Sequence, residues 1–344
     1  MISYSLIKGG KMNRDYIERQ IKSGKWIPQT LPNGLKIYWA ERSSNFIEKF
    51  ESKGDNFCPH FKVIGVASGS CAIQCKGCYL LGTYRVLRDP GKPVLYKNLD
   101  WCAEELEKDI INSNEPSVYS DGERCDSLLY DEHHGVTRAL LPVFVRNKNL
   151  GNKFLRLTKS SCVKHLLGLD HKNVMILSYS LNPQKVADVF ESYPQATIEE
   201  RIKAASLAQN EGDYPSRVRI DPIIPINNWK NTYLEFLESM AEFRFRPSRF
   251  TLGCYRVLRR SKHIKKILNV EFTVPLDKLE DADSSKEQAR LRIPHDLRVE
   301  IYSFLIEQIK KIFPESSYGL CKETEKLRKR MGFSDRDTFC NCTL

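Results

Sequence analysis

The feature that most limits the possible folds of this 344-residue chain is a regular alternation that starts near residue 60. Short runs of β-branched and apolar residues, typical of strands, alternate with longer amphipathic stretches, typical of helices. The six predicted strands are Lys62–Ala67, Ser117–Tyr119, Phe154–Leu157, Val174–Ser180, Arg217–Ile220 and Arg249–Leu252. Six strand and helix units predict an α/β fold, a partial (β/α)6 TIM-type barrel that is open rather than completed to eight units.

Helices are predicted over Leu99–Ile111, after Thr197, after Trp229 and after His295. The spacing of Thr197 and Glu200 is that of a capping box, which marks the start of a helix.

We expect the chain to have three parts. Residues 1–57 form a basic N-terminal extension, residues 58–316 form the barrel, and residues 317–344 form a C-terminal tail with its own cysteines. Within the barrel, residues 271–292 are charged enough to be an insertion or a hairpin.

Several polar residues directly follow predicted strands. In a barrel of parallel strands, the chemistry gathers at the carboxyl ends of the strands, so these residues are predicted to face one another. They are a cysteine-rich loop after the first strand, Gly122 and Glu123, Lys159, Ser178 and Ser180, and Asp221.

The cysteine-rich loop contains Cys71, Cys75 and Cys78, with Tyr79 directly after the last of them. We expect the protein to be cytoplasmic, where clustered cysteines indicate metal or redox chemistry rather than disulfides. A structural zinc site takes four ligands, whereas three thiolates suit a [4Fe–4S] cluster that keeps one iron open to a small molecule. A zinc knuckle or unbound thiols remain the alternatives.

The formal net charge of +11 would attract an anionic partner such as nucleic acid. The stretch after Cys254 is basic and has no acidic residue, so it predicts either a phosphate-contacting patch or a solvated helix face. Its basic residues are Arg256, Arg259, Arg260, Lys262, Lys265 and Lys266. No apolar run is long enough to predict a membrane span.

The cysteine spacing, C-x3-C-x2-C followed by an aromatic residue just past a first barrel strand, resembles the signature of the radical S-adenosylmethionine superfamily. The resemblance implies that Cys71, Cys75 and Cys78 hold a [4Fe–4S] cluster. It also implies that the cluster cleaves S-adenosylmethionine to a 5′-deoxyadenosyl radical, with an electron from a reductant such as flavodoxin or ferredoxin. Gly122 and Glu123 resemble the motif that holds the ammonium group of the cofactor's methionine.

The wider chain resembles the spore photoproduct lyase family, whose members resolve a thymine dimer lesion in DNA. The resemblance rests on stretches between about residues 58 and 332, namely CAIQCKGCYL, DGERCDSL, LRLTKS, ILSYSLNP, TIEERIKAA, RIDPIIP and YGLCKE. It implies that Ser178 and Ser180 lie near S-adenosylmethionine and that Lys159 and Asp221 are active-site groups. Cys125 stands where the lyase has a cysteine that returns a hydrogen atom to the product radical.

The sequence departs from the lyase at three places. Around Cys125, DGERCDSL follows the glycine–glutamate form of the lyase's relatives rather than the lyase's own. The lyase has a tyrosine between its second and third cluster cysteines, where this chain has Gly77, so only Tyr79 remains nearby as a radical-quenching aromatic residue. The tail contains Cys321, Cys340 and Cys342, which would hold a second iron–sulfur cluster or metal, with Cys254 or Cys58 as a further ligand, or would be incidental.

The leading hypothesis is therefore a radical enzyme, of lyase or isomerase type, that acts on a thymine-derived or modified pyrimidine base in DNA, in lesion repair or in base modification. One alternative keeps the radical chemistry but changes the substrate to a free nucleotide, a small metabolite or a peptide. Another is a non-catalytic, zinc-binding nucleic-acid protein. The salt dependence of binding distinguishes a DNA substrate from a small-molecule substrate. The identity of the bound metal, zinc or iron, distinguishes the non-catalytic protein from the radical enzyme.

Overall fold

The structure is a computed structural model that describes residues 11–50, 61–75, 78, 91–258, 280–281, 290–334 and 339–344. Within these residues the helices are Lys11–Lys22 (α1), Leu99–Ile111 (α2), Asp131–His134 (α3), Val136–Arg146 (α4), Gln184–Phe190 (α5), Ile198–Gly212 (α6), Trp229–Glu242 (α7), His295–Ile312 (α8) and Glu325–Arg330 (α9). None of them has the length and apolar content that a membrane crossing requires.

The strands of the described residues fall into three sheets. In chain order they are Ile27–Thr30 (β1), Lys36–Ala40 (β2), Ile47–Phe50 (β3), Phe61–Ile64 (β4), Ala67–Ser68 (β5), Val94–Tyr96 (β6), Val118–Ser120 (β7), Lys153–Thr158 (β8), Met175–Ser180 (β9), Ser216–Ile223 (β10), Arg249–Cys254 (β11), Arg256–Leu258 (β12), Glu280–Asp281 (β13), Arg290–Arg292 (β14) and Ser317–Leu320 (β15).

The main sheet has the order β15-β11-β10-β9-β8-β7-β4-β3. All neighbours from β15 to β4 are parallel, and β3 is antiparallel at the edge. In the described part of the chain, β15 and β3 do not pair with each other, so the barrel is open. The predicted α/β partial barrel is therefore confirmed, and all six predicted strands lie side by side in it.

The first predicted strand, Lys62–Ala67, is in fact two strands. β4 ends at Ile64, and β5 belongs to a separate four-stranded sheet with the order β1-β2-β6-β5. Gly65 separates them, and a Cβ there would be 3.0 Å from Arg124 Nη1 and 3.1 Å from Arg42 Cζ. The chain leaves the barrel at this crowded point and then enters the cysteine loop.

The other end of the barrel also differs from the expectation. β15 pairs in parallel with β11, so the sheet continues past residue 316, where the sequence places the end of the barrel. β12, which precedes the predicted charged insertion at residues 271–292, forms a small antiparallel sheet with β13 and β14, which lie within the insertion. The predicted helices are confirmed, including the capping box of Thr197 and Glu200 at the start of α6.

Alternate side chains of each barrel strand face opposite directions. The outward residues pack against the helices in the large core, which includes Leu177, Val218 and Leu252. An inner apolar cluster contains Phe61, Val63, Val118, Leu155 and Ile176. We call the end of the barrel at which the parallel strands finish the mouth, and the opposite end the floor.

Candidate active site

The cysteine loop begins two residues after β5 and packs against the loop that follows β7. Cys71 and Cys75 lie against a buried cluster that includes Ile73, Cys125 and Tyr130. The amide of Ala72 donates a hydrogen bond of 3.1 Å to the Tyr130 hydroxyl. The amide of Tyr193 donates to the carbonyl of Ile73 at 3.1 Å. The loop is thus fixed from two sides of the barrel.

The Cys75 thiol lies within electrostatic range of both Cys71 and Cys78. A hydrogen bond from the Cys125 thiol lowers the pKa of Cys71, against the opposing effect of burial. Burial raises the pKa of Cys75, against the opposing charge of Lys159. A cation near this thiol would favour a thiolate ligand.

Three thiols in one loop match the number of thiolates that hold a [4Fe–4S] cluster with one open iron. In a [4Fe–4S] cluster each thiolate binds a different iron, so the sulfurs surround the cluster instead of meeting at one centre. A structural zinc ion needs four ligands around one centre.

Gly122 follows β7 and lies directly against β8. A Cβ at Gly122 would be 2.7 Å from Leu157 Cβ, 2.8 Å from Ser127 Oγ and 3.0 Å from the Leu157 carbonyl oxygen. Only glycine allows this approach. The next residue, Glu123, is half-buried and lies within electrostatic range of Arg219 on β10. Glu123 therefore lies between the β7 and β10 sides of the barrel.

The loop after β7 is held by a buried ion network. The Nε atom of Arg156 on β8 is 3.0 Å from Asp121 Oδ1, and its Nη2 atom is 3.1 Å from Asp131 Oδ1. His165 Nε2 lies 2.8 Å from Asp131 Oδ2. Burial raises the pKa of Asp121 to about 6, although Arg156 opposes the shift. These contacts fix both ends of the segment that carries Gly122, Glu123 and Cys125.

Asp126 joins this loop to the end of β8. Its Oδ1 atom accepts hydrogen bonds from the amides of Leu128 at 3.0 Å and Leu129 at 2.9 Å, and from Thr158 Oγ1 at 2.8 Å. Its Oδ2 atom accepts from the amide of Lys159 at 2.6 Å. The preceding residue, Cys125, is buried beside Cys71. One carboxylate therefore positions Cys125 and Lys159 relative to each other.

The side chain of Lys159 points toward the cysteine loop. Its Nζ atom donates to Glu191 Oε1 at 2.9 Å, and Glu191 also pairs with the buried Arg201 of α6. Burial would lower the pKa of Lys159, but the charge of Glu191 and, less strongly, Cys75 raise it. Lys159 is therefore a fixed ammonium group next to Cys75.

Asp221 lies on the opposite side of the mouth, at a register shift of β10. Arg256 Nη2 is 2.8 Å and Arg219 Nη2 is 3.0 Å from Asp221 Oδ2. Burial would raise the pKa of Asp221, but Arg256 and Arg219 hold it at about 2. A Cβ at Gly253 would be 2.7 Å from Asp221 Cγ, so this glycine makes room for the carboxylate. Asp221 is thus a permanent anion that holds two guanidinium groups.

The tail cysteines lie in two places. The Cys321 sulfur accepts long hydrogen bonds from Arg219 at 3.7 Å and Arg256 at 3.9 Å, next to Asp221. Cys342 hydrogen-bonds Cys340, and both thiols lie near Arg217 on β10. The structure therefore does not bring the three tail cysteines together as one metal site.

The two serines of β9 lie at different depths. The Ser178 hydroxyl is fully buried and donates to Asn341 Oδ1 of the tail at 2.8 Å. Ser180 is the last residue of β9, is buried, and pairs across the sheet with Arg219. Ser180 is therefore at the mouth, whereas Ser178 contacts the tail below it.

Some of the predicted site residues lie outside the part of the chain that the structure describes. Tyr79 and five residues of the basic stretch, namely Arg259, Arg260, Lys262, Lys265 and Lys266, lie outside the described residues. Arg256 is described, and it contacts Asp221 at the mouth. Cys58, a candidate further ligand, also lies outside the described part.

Similarity to known proteins decides the family. A family model described as spore photoproduct lyase matches residues 57–319. The chain belongs to the spore photoproduct lyase family. A curated relative, the spore photoproduct lyase of Clostridium acetobutylicum, is 27% identical over 182 residues, which are 52% of this chain and 51% of the relative. The matched part thus spans about half of that relative's length.

Solved spore photoproduct lyase structures share the fold. One, complexed with dinucleoside spore photoproduct, superposes with a TM-score of 0.68 at 19% identity and covers 89% of this chain and 94% of its own. A mutant of the lyase with bound AdoMet and the same dinucleoside superposes with a TM-score of 0.67 at 18% identity. The match covers 89% of this chain and 93% of the mutant's chain. At this identity, the likeness establishes the fold of the chain.

Three residues of the candidate site do not stand out in the sequence. Asp126 and Arg156 are ordinary charged residues there, and only the fold shows that each joins two strand-end segments. Arg219 lies in a predicted strand, where inward and outward positions differ by one residue. The signal in the sequence is the alternation of Arg217, Arg219 and Asp221, which places all three on one face of β10.

Proposed function

We propose that this protein is a radical S-adenosylmethionine enzyme that acts on a thymine-derived or modified pyrimidine base in DNA. The observation that carries the proposal is the position of the three-cysteine loop beside Cys125 and Lys159 in a chain of the spore photoproduct lyase family. Related structures hold AdoMet and a dinucleoside spore photoproduct, and we infer the same classes of ligand here.

Cys71, Cys75 and Cys78 would hold the cluster, and the electrostatic proximity of Cys75 to the other two thiols supports this assignment. When bound, the cluster and S-adenosylmethionine supply a 5′-deoxyadenosyl radical, once a reductant such as flavodoxin or ferredoxin has provided an electron. Ala72 and Ile73 of this loop are buried, and Cys71 and Cys75 are partly buried against the cluster that includes Tyr130, which limits the access of water.

Glu123 is proposed to bind the ammonium group of the cofactor's methionine. A carboxylate that is half-buried and fixed by a glycine is suited to pair with a cation. Ser180, at the end of β9, is proposed to lie near the same cofactor. Ser178 has its hydroxyl engaged with Asn341, so a contact with the cofactor is less favoured for it.

Cys125 and Lys159 are proposed to act on the substrate, with Cys125 or Tyr79 donating a hydrogen atom to the substrate radical. A thiol suits hydrogen donation because its S–H bond is weak. Lys159 would keep its positive charge near the cysteine loop. Asp221 is ionised and paired with two arginines, so we propose that it positions Arg219 and Arg256 rather than exchanging a proton.

DNA is the proposed partner. A base inside a duplex would have to be extruded before it could reach the mouth of the barrel. The basic stretch from Arg256 to Lys266 is proposed to contact the phosphates. The division into an N-terminal extension, a barrel and a C-terminal tail stays a proposal, with residues 317–320 assigned to the barrel sheet. Whether the reaction is of lyase or isomerase type depends on the fate of the substrate radical.

Binding at several salt concentrations tests the choice of substrate. A thymine-containing duplex should bind with an affinity that falls steeply with added salt, because counterions are displaced from the phosphates. A free nucleotide should bind weakly and show a shallow dependence. The reverse pattern would favour the small-substrate alternative, and zinc in place of iron would favour the non-catalytic one.

A further inference from the structure

The segment Phe339–Leu344 lies inside the floor of the barrel. Cys342 packs against the inner apolar cluster that includes Phe61, Val118 and Ile176. The segment also lines a shallow depression together with Pro116 and Ser117, at the start of β7. These contacts place the segment where the parallel strands begin, opposite the mouth.

Two inward arginines bind the backbone of this segment. Arg217 Nη1 on β10 donates to the carbonyl of Asn341 at 2.8 Å and also to that of Thr343. Arg249 on β11 donates to the carbonyl of Cys340 at 3.1 Å and to that of Leu344 at 2.9 Å. In the described part of the chain, neither arginine has an ion pair with a carboxylate side chain, so backbone carbonyl groups take up most of their donors.

Side chains of the barrel also contact the side chains of this segment. Ser178 donates to Asn341 Oδ1 at 2.8 Å, and Arg249 lies over the ring of Phe339, 5.7 Å from its centroid. A Cβ at Gly319 on β15 would overlap the carbonyl group of Phe339. The absence of a side chain at Gly319 is therefore a requirement for the segment to lie against β15.

The same segment reaches toward the proposed cofactor site. The Cys342 thiol lies within electrostatic range of Glu123 and Arg219, which belong to the mouth. The segment therefore lies between the solvent at the floor and the residues proposed to bind S-adenosylmethionine. Without this segment, the floor would be open to solvent below the same space.

We propose that the barrel interior is a binding site for the chain's own segment Phe339–Leu344, which acts as an internal plug. Arg217 and Arg249 recognise its carbonyl groups, Ser178 recognises Asn341, and Gly319 provides the space. The plug excludes water from below the site in which a carbon-centred radical forms. Only this last consequence rests on the proposed function, since the plug itself rests on contacts.

The test uses Gly319→Ala, which removes the space for the plug without changing any residue of the mouth. The thiol reactivity of Cys340 is measured by alkylation and mass spectrometry in the anaerobic protein. The fully buried Cys254 of β11 serves as an internal control for global unfolding. Cys340 should react faster in the variant by about tenfold or more, because the local cost of exposing it has fallen. Cys254 should not change.

Two further variants keep the test decisive if Gly319→Ala fails to fold. Asn341→Ala removes one side-chain contact and should raise the reactivity of Cys340 by less than Gly319→Ala does. Removal of residues 339–344 should raise the number of S-adenosylmethionine molecules cleaved per product molecule formed. Equal Cys340 reactivity in the wild type and both point variants would overturn the plug. Protection of Cys340 that disappears when iron is removed from the folded protein would overturn it in favour of a metal site.

These outcomes are separable from a failure of the proposed function. Protection of Cys340 in the wild type, and its loss in Gly319→Ala, would support the plug even if no S-adenosylmethionine were cleaved. Cleavage with an unprotected Cys340 would support the enzyme and reject the plug.

Discussion

The Oδ2 atom of Asp126 accepts a hydrogen bond of 2.6 Å from the backbone amide of Lys159. Because Asp126 follows Cys125 directly, this bond links two residues that are proposed to act on the substrate. The Oδ1 atom of the same carboxylate holds Leu128, Leu129 and Thr158. Asp126 thus determines the relative positions of the two strand-end loops.

Asp126→Ala should lower the free energy of unfolding by about 2–4 kcal/mol, because several buried donors lose their acceptor. Asp126→Asn should cost less, since its oxygen can keep the Oδ1 contacts while its amide faces the Lys159 N–H. Chemical denaturation measures both values. Asp170→Ala, at an exposed ion pair with Lys172, is the matched control and should change stability by less than about 0.5 kcal/mol. Equal effects of the Asp126 and Asp170 variants would contradict this role.

Gly122→Ala should weaken the binding of S-adenosylmethionine by about tenfold or more, because overpacking against Leu157 would move Glu123. Equilibrium binding to the iron-loaded protein measures the effect. The control is Ser120→Ala at the end of β7, which removes a buried hydroxyl without a hydrogen-bond partner among the described residues. Wild-type affinity in Gly122→Ala would argue against the proposed position of the cofactor.

The stability of the protein should depend on the charge of Asp221. Its pKa of about 2 in the folded protein lies below the ordinary value, so its ion pairs stabilise the fold above about pH 4 and are lost as the pH falls toward 2. Asp221→Asn should therefore lower the free energy of unfolding by roughly 2 kcal/mol at pH 7. Denaturation at pH 7, 5 and 3 should show this difference shrinking only at the lowest pH. A constant difference at all three values would show that ionisation is not the cause.

Alanine replacement of Cys71, Cys75 or Cys78 should abolish the incorporation of iron, because a cluster with only two protein thiolates is poorly held. Cys162→Ala is the matched control, since Cys162 packs against the same buried cluster but is not a predicted ligand. Iron and sulfide analysis after anaerobic reconstitution measures the outcome. Full iron content in any of the three variants would remove that residue from the proposed ligand set.

Much of the fold follows from the sequence, because the six barrel strands are short apolar runs between amphipathic helices. Helix α2 spans the predicted Leu99–Ile111, and the capping box at Thr197 forms as expected. The sequence does not show that Ala67 leaves the barrel, because a strand pattern continues across Gly65. Nor does it show that Ser317–Leu320 joins the sheet, since its partner β11 lies more than sixty residues earlier.

The site is predictable to the extent that motifs are local. The cysteine loop and the Gly122–Glu123 pair have residue types and spacings that by themselves indicate their chemistry. Asp126, Arg156 and Arg217 make contacts between segments that are distant in sequence, and no local pattern distinguishes such residues from exposed charges. The tail is a similar case, because the spacing of Cys340 and Cys342 does not reveal that the pair lies in the barrel floor beside Arg217. A metal site at these thiols stays a prediction.

The most direct measurement of the central claim is anaerobic reconstitution with iron and sulfide, followed by reduction and addition of S-adenosylmethionine. We predict about four irons per chain, because one cluster accounts for the three ligand cysteines. We also predict the formation of 5′-deoxyadenosine, in larger amounts when DNA that contains a thymine lesion is present. Zinc in place of iron, or a reduced cluster that does not cleave S-adenosylmethionine, would contradict the account.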